Sequence, residues 1–159
     1  MVNSSLLIIR GNMSLEEYIE KRDFDKSPEP KGVIGKEQGH MFVIQEHNAS
    51  HLHWDLRLEI GGVLKSWAVP KEPPKEKGLK RLAIQVEDHP VEYGSFEGVI
   101  PKGMYGAGTV KIYDKGEFVL SEMSENKLTF DLIGQKLHGK YALIKTPNMG
   151  KNSWLLFKK

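Results

Sequence analysis

The sequence has no cysteine. That excludes a disulfide framework and any thiolate metal site. A metal ion would have to be held by His, Asp, Glu or carbonyl oxygens. The absence also suits a reducing compartment. Long apolar runs are missing too. Nothing approaches the roughly 20 residues that span a bilayer. The run "SSLLIIRG" near the start is too short, and no basic region precedes it as in a secretory leader. A soluble, cytoplasmic protein with no membrane partner is expected. Nor does one sign of charge dominate: 23 Lys and Arg face 21 Asp and Glu, for a net charge of +2. No internal repeat or low-complexity segment is present. A chain of 159 residues is expected to form one domain, and it can bury a core without covalent staples. Residues 1–13 are expected to be a flexible N-terminus.

Only the distribution of charge is uneven. Residues Gln135 to Lys159 carry lysines and neither Asp nor Glu. The stretch "KEPPKEKGLKR" sets Lys71, Lys75, Lys77, Lys80 and Arg81 against Glu72 and Glu76. Both regions suit a phosphate backbone, although solvated lysines account for them equally well.

What the chain does have is the punctuation of a β protein. "SLEEYIEKRDF" predicts one short helix, capped by Ser14 with Glu17 completing a capping box. Leu15, Tyr18 and Ile19 share its apolar face, and "SPEPKG" ends it. About nine short strands then follow. "HWDLRLEI" and "VLKSWAV" flank Gly61-Gly62, a two-residue hairpin signal. "GTVKIYD" and "EFVLSEM" flank Lys115-Gly116, read as a second tight turn. "MFVIQ", "RLAIQVED", "KLTFDLIG", "KLHGKYALIK" and "SWLLFKK" complete the set. The spacing predicts a mainly β fold, an antiparallel barrel or sandwich behind a short N-terminal helix. Asp88–Gly108 is the least regular stretch and is read as an ordered loop region, of the kind that often carries function.

"EHNASHLHWDLRLE", Glu46–Glu59, concentrates half of the chain's six histidines. Strand alternation puts His51, His53, Asp55, Arg57 and Glu59 on one face and Leu52, Trp54, Leu56, Leu58 and Ile60 on the other. The apolar set resists a one-residue slip, so the polar set stands on a fixed platform. With Gly61-Gly62 as the loop, Arg57 faces Ser66 and Asp55 faces Ala68, leaving room above the polar row. The same alternation in "RLAIQVEDH" places Arg81, Gln85, Glu87 and His89 together.

A strand with one charged face is usually half-buried sheet and nothing more. Here His53 and Asp55 are two ligands at the spacing one metal needs, and His47 can return as a third. Two imidazoles and a carboxylate suit Mn, Fe or Zn. Arg57 lies about 7 Å further along the same face and can pair with phosphate or carboxylate oxygens. Arg81 and His89 can extend that clamp. Against this, Arg81 can simply pair with Glu87, and His89 can be a turn residue before Pro90. Gly103, Gly106 and Gly108 in "PKGMYGAG" are read as turn glycines, since no helix follows to bind phosphate.

Several long runs, in order, resemble the phosphoesterase domain of bacterial DNA ligase D, a multidomain end-joining enzyme. They are "FVIQEHNASHLHWDLRLEIGGVLKSWAVPKEP", "KRLAIQVEDHPVEYGSFEGVIPKGMYGAGTVKIYDKGEF", "LIGQKLHGKYALIK" and "WLLFK". The opening "YIEKRDFDKSPEP" is similar as well, so the resemblance runs from about Tyr18 to the end. It departs at Ser27, Trp54, Leu56 and Lys102, none of them in the polar row. The resemblance implies a free-standing β-barrel enzyme that processes DNA 3′ ends with manganese, or with another divalent ion such as Zn2+ or Co2+. It would remove a terminal ribonucleoside to leave a 3′-phosphate, then remove that phosphate. The DNA partner would be a primer-template end, with a separate ligase and polymerase as possible associates. By motif position, His47, His53 and Asp55 resemble the metal ligands. Arg57, His89 and Tyr93 resemble the phosphate-binding and catalytic groups, with Arg81 and Lys71 supporting. Gln45, Ser66 and Glu87 fall near the site, and Arg22 and Asp23 fall where substrate is engaged. Two rival readings stand beside it. One is a non-haem iron oxygenase using His53, Asp55 and His89 as a facial triad. The other is a non-catalytic barrel that binds nucleic-acid ends through the basic segments.

Overall fold

The barrel begins from the alternation seen in sequence. In the computed structural model, which describes residues 15–32 and 39–159, helix α1 spans residues 15–20. After it come β1 (Met41–Asn48), β2 (Leu52–Ile60), β3 (Val63–Val69), β4 (Lys80–Pro90), β5 (Gly98–Ile100), β6 (Gly108–Met123), β7 (Lys127–Ile133), β8 (His138–Lys145) and β9 (Ser153–Lys158). The strands are antiparallel, in the order β1-β2-β3-β4-β9-β8-β7-β6, and β6 pairs back onto β1. That closure leaves no open sheet edge in the ring. Strand β5 is added along the first residues of β6.

Apolar residues of successive strands point inward and fill the barrel. Phe42, Ile44, Leu56, Leu58, Trp67, Phe130, Tyr141, Leu143 and Leu156 are all buried there. Gly61 and Gly62 both adopt positive φ, at 66° and 82°, as a two-residue hairpin turn demands. The β2–β3 register follows from that turn: Arg57 opposes Ser66, Asp55 opposes Ala68 and Leu56 opposes Trp67. A second apolar cluster lies on the outer face, where Leu15 and Tyr18 of α1 pack with Leu64, Tyr93, Phe96, Ile100 and Val110. Helix α1 and the β4–β6 connection thus roof the outer surface of β1–β4.

Three local expectations are corrected. Lys115-Gly116 is not a turn; both residues lie inside the continuous strand β6 and pair with β1. Gly116 is there for close packing, since a Cβ would stand 2.0 Å from the Ile133 carbonyl oxygen. The Asp88–Gly108 loop contains a 3-10 turn, Val91–Ser95, and the short strand β5. Ile19, assigned to the buried face of the helix, is 41% exposed. The capping serine, Ser14, and residues 1–13 lie outside the described residues.

The fourth correction matters most for function. In β4, Arg81 and Ala83 pair with Leu156 and Trp154, and Gln85 pairs with Trp67. These partners belong to the barrel interior. Further along, Ser66 opposes Val86 but Leu64 opposes His89. One extra residue on β4 forms a bulge that reverses the alternation. It turns His89 to the outer face, opposite to Arg81 and Gln85.

Candidate active site

The outer faces of β1 and β2 carry a largely buried polar cluster. His47 pairs directly across from His53, and Gln45 across from Asp55. Cross-strand neighbours on one face have Cβ atoms about 5 Å apart, so the histidine six residues upstream returns beside His53. Ligand atoms of His47, His53 and Asp55 all lie within 4.8 Å of one another. Among the described residues this is the group that can hold a metal ion.

The tautomers show what the cluster is built for. His47 Nε2 lies 2.7 Å from the Gly106 carbonyl oxygen, and His53 Nδ1 lies 3.0 Å from that of His51. A carbonyl only accepts, so each of these nitrogens carries the proton. The opposite nitrogens, His47 Nδ1 and His53 Nε2, then present lone pairs to Asp55 at 3.5 and 3.3 Å. Two lone pairs and a carboxylate facing one another call for a cation, either a proton or a metal. Burial opposes protonation of His53, but the hydrogen bond and charge of Asp55 outweigh it and raise its pKa. Burial likewise works to raise the Asp55 pKa, yet Arg57, His47 and His53 hold it well below the carboxylate range. The cluster therefore fits a divalent ion by donor type, and backbone carbonyls orient both rings as they do for metal-bound histidines.

Arg57 stands next to this cluster with its side chain 4% exposed. Nε donates to Gln45 Oε1 at 2.7 Å and Nη1 to Ser66 Oγ at 2.9 Å. Nη2 lies 3.4 Å from Asp55 Oδ2, and the Tyr93 ring packs 4.8 Å from the guanidinium. Gln45 is itself pinned, donating to the Tyr93 and Phe96 carbonyls. The remaining N–H bonds of Arg57 are available to an anion, and guanidinium geometry favours paired contacts with carboxylate or phosphate.

Ser66 links Arg57 to His89, whose Nδ1 lies 3.4 Å from Ser66 Oγ and 3.0 Å from the Glu87 carbonyl. That carbonyl takes the Nδ1 proton, so Nε2 is left to accept from Arg22 Nη2 at 3.4 Å. Burial, followed by the charges of Arg57 and Arg22, pushes the His89 pKa well below its ordinary 6.5. The ring is neutral in the free protein. Unfolding lets it take up a proton near pH 6.5, so its contribution to stability is lost as pH falls below that value toward the folded pKa. Melting temperature should therefore drop more steeply from about pH 7 to about pH 5 in the wild type than in His89→Gln. Equal slopes would contradict a neutral buried ring.

A cavity of about 280 Å³ opens onto these groups, lined by His47, His53, Asp55, Arg57, His89, Tyr93, Arg22, Glu29, Glu87 and Tyr105. Its back wall comes from the segment after α1. Glu29 receives Arg22 Nε at 2.9 Å, the Tyr93 hydroxyl at 2.7 Å and Ser27 Oγ at 2.8 Å. Sequence reasoning gave Glu29 no role, because "SPEP" has no periodicity and read only as a helix stop. Arg22 reaches the cavity, but Asp23 is exposed and caps the backbone N–H of Asp25. Burial pushes the Tyr93 hydroxyl pKa up, and that hydroxyl is already spent on Glu29.

Other expected residues are placed elsewhere. Arg81 Nε donates to the Glu72 carbonyl at 2.9 Å and Lys71 is exposed; neither lines the cavity. His51 contributes its carbonyl rather than its ring. His89 is bound to Arg22 and Ser66 instead of joining the His47-His53-Asp55 group, so the His53-Asp55-His89 triad of the oxygenase reading is not assembled. The two basic segments do meet: Lys77 bridges to Lys158, and Lys158 Nζ donates to the Lys75 carbonyl.

The fold and the cluster define a closed antiparallel barrel with a metal-capable His-His-Asp group beside a buried arginine. Residues 45–145 match the DNA Ligase D 3′-phosphoesterase domain family, and the chain belongs to that family. It is 46% identical over 153 residues to the multifunctional non-homologous end joining protein LigD of Pseudomonas aeruginosa, with 91% of the chain covered. It is 47% identical over 140 residues to the multifunctional non-homologous end joining DNA repair protein LigD of Mycobacterium tuberculosis, with 83% covered. A third match, to LigD of Mycolicibacterium smegmatis, is 45% identical and covers 89%. The matched regions are 18%, 18% and 20% of those proteins' own lengths. The family's chemistry is hydrolysis of phosphate esters. No helix among the described residues is long and apolar enough to cross a membrane.

Proposed function

We propose that the protein is a manganese-dependent enzyme that processes DNA 3′ ends, removing a terminal ribonucleoside and then the 3′-phosphate left behind. The single observation that carries this reading is the pair of oriented imidazole lone pairs facing Asp55, one residue row from a buried guanidinium with N–H bonds to spare. Such a pairing suits a phosphoryl group held between a cation and an arginine.

His47, His53 and Asp55 are the residues that would hold the ion, and Mn2+ supplies a Lewis acid there. Arg57 takes up charge developing on the phosphate oxygens. Gln45, Ser66 and Tyr93 hold Arg57 by contacts that predate substrate, so its orientation costs little at the moment of reaction. His89 is neutral because burial and the charges of Arg57 and Arg22 outweigh the opposing pull of Asp55 and the Glu87 carbonyl. A bound phosphate brings negative charge against both arginines and raises the His89 pKa; a proton taken up on Nε2, in place of the contact from Arg22, equips the ring to protonate the leaving oxygen. Glu87 and Glu29 keep Arg22 in place. The joined basic segments supply positive charge for the DNA backbone.

The test is a labelled DNA strand ending in one ribonucleotide, annealed to a longer template, with and without manganese. The expected result is shortening to a 3′-phosphate end and then a 3′-hydroxyl end, only with metal. Binding of ends without turnover under any divalent metal would instead establish the non-catalytic barrel.

A further inference from the structure

A cavity of about 280 Å³ falls just below the usual range for ligand sites, roughly 300 Å³ and above. With a phosphate on Arg57 at the buried end of the cavity, the base of a terminal nucleotide is directed toward the open rim. One aromatic side chain stands there. Tyr105 lines the cavity and also an adjoining groove of about 450 Å³ that runs past Lys21, Lys65 and Asp88. It is 47% exposed.

The position of Tyr105 is tied to the chemistry. Its neighbour Gly106 accepts the His47 Nε2 proton at 2.7 Å, so the ring is attached one peptide unit, about 3.8 Å of chain, from a contact with a candidate metal ligand. Gly106 has φ 77°, and a Cβ there would come to 3.4 Å of His47. The turn around it is closed by Met104 N to Pro101 O and Ala107 N to Met104 O bonds. Lys21 Nζ and the Arg22 guanidinium lie over the ring, 4.7 and 5.4 Å from its centroid. The cations near the ring and along the groove are already paired: Lys21 with Glu17 and Glu87, Arg22 with Glu29 and Glu87, and Lys65 with Asp88. What the rim offers a ligand is therefore aromatic surface.

We propose that Tyr105 is the stacking platform for the base of the 3′-terminal nucleoside, a contact that positions the nucleotide for cleavage without reading its sequence. Every nucleobase has a π-face, so the platform is tolerant of base identity, as an end-processing site requires. The inference rests on the proposed end-processing function.

The experiment compares two manganese-loaded reactions of the full chain. One substrate strand ends in an ordinary ribonucleoside, and the other ends in the same ribose without its base. In the wild type, loss of the base should raise KM roughly 5- to 150-fold, the range for one base–aromatic stack. Tyr105→Ala should raise KM for the ordinary end by a similar factor and should no longer distinguish the two substrates. Tyr105→Phe and Tyr105→Trp should restore the distinction, which separates the ring from the hydroxyl. Equal slowing of both substrates in Tyr105→Ala, or retained discrimination, would overturn the platform while leaving the function standing. A wild type that turns over neither end would overturn both.

Discussion

Asp55→Ala should abolish removal of both the ribonucleoside and the 3′-phosphate. The reason lies in what Asp55 holds together. Its two oxygens face His47 Nδ1, His53 Nε2 and Arg57 Nη2. Remove it, and among the described residues two imidazoles remain as side-chain ligands, beside a buried cation that repels any metal. Outer-shell residues that merely orient ligands typically contribute 10- to 100-fold in metal affinity. Loss of this direct ligand should exceed about 100-fold, read by calorimetric titration with manganese. Loss of the carboxylate also strips Arg57 of its charge partner, at a stability cost on the order of 3–5 kcal/mol if the charge is left uncompensated. Asp55→Asn therefore belongs beside it: similar in shape, with one acceptor oxygen kept, it separates failure of the site from failure to fold. A folded Asp55→Asn protein with wild-type manganese affinity and rate would remove the residue from the ligand set.

Arg57→Ala should lower kcat by roughly 100- to 1,000-fold, the scale for deleting one preorganised donor to a developing anion. Its effect on metal binding should run the other way. Arg57 lies 3.4 Å from Asp55, so losing its charge removes repulsion and should leave manganese affinity unchanged or tighter. Calorimetry and single-turnover kinetics on one preparation read both effects. Arg57→Lys should rescue little. The native group uses Nε on Gln45, Nη1 on Ser66 and Nη2 toward Asp55 while keeping further N–H bonds for an anion; one ammonium cannot reproduce that planar fork. Full activity in the lysine variant would show that charge alone suffices.

These two residues were legible from sequence because β2 alternates without interruption. The inward Leu56 and Leu58 fix its register, and Asp55 and Arg57 follow on the outer face. The Gly61-Gly62 turn then specified the Arg57–Ser66 pairing. The same reasoning failed in β4. Its alternation looked equally regular, but a bulge between Val86 and His89 reversed it. Bulges answer to partner strands, and a single strand's pattern does not display them. Lys115-Gly116 misled for a related reason. Glycine serves both turns and close backbone approach, and only the position of Ile133 shows which need applies.

By itself, then, the sequence determined a β architecture, the faces of β2, and the residue types capable of holding a metal and a phosphate. These follow from local periodicity and from side-chain chemistry. The tertiary structure decided the closed barrel and placed His47, offered by the sequence as a third ligand, directly across from His53. It also decided the backbone carbonyls that set both ring tautomers, and the wall that Arg22 and Glu29 build behind the cavity. Several of those features join chain segments far apart in sequence, as where His47 meets the Gly106 carbonyl. Glu29 and Tyr93 are separated by 64 positions and joined by one hydrogen bond of 2.7 Å. No periodicity encodes such contacts, because they arise only when closure of the barrel brings the segments together.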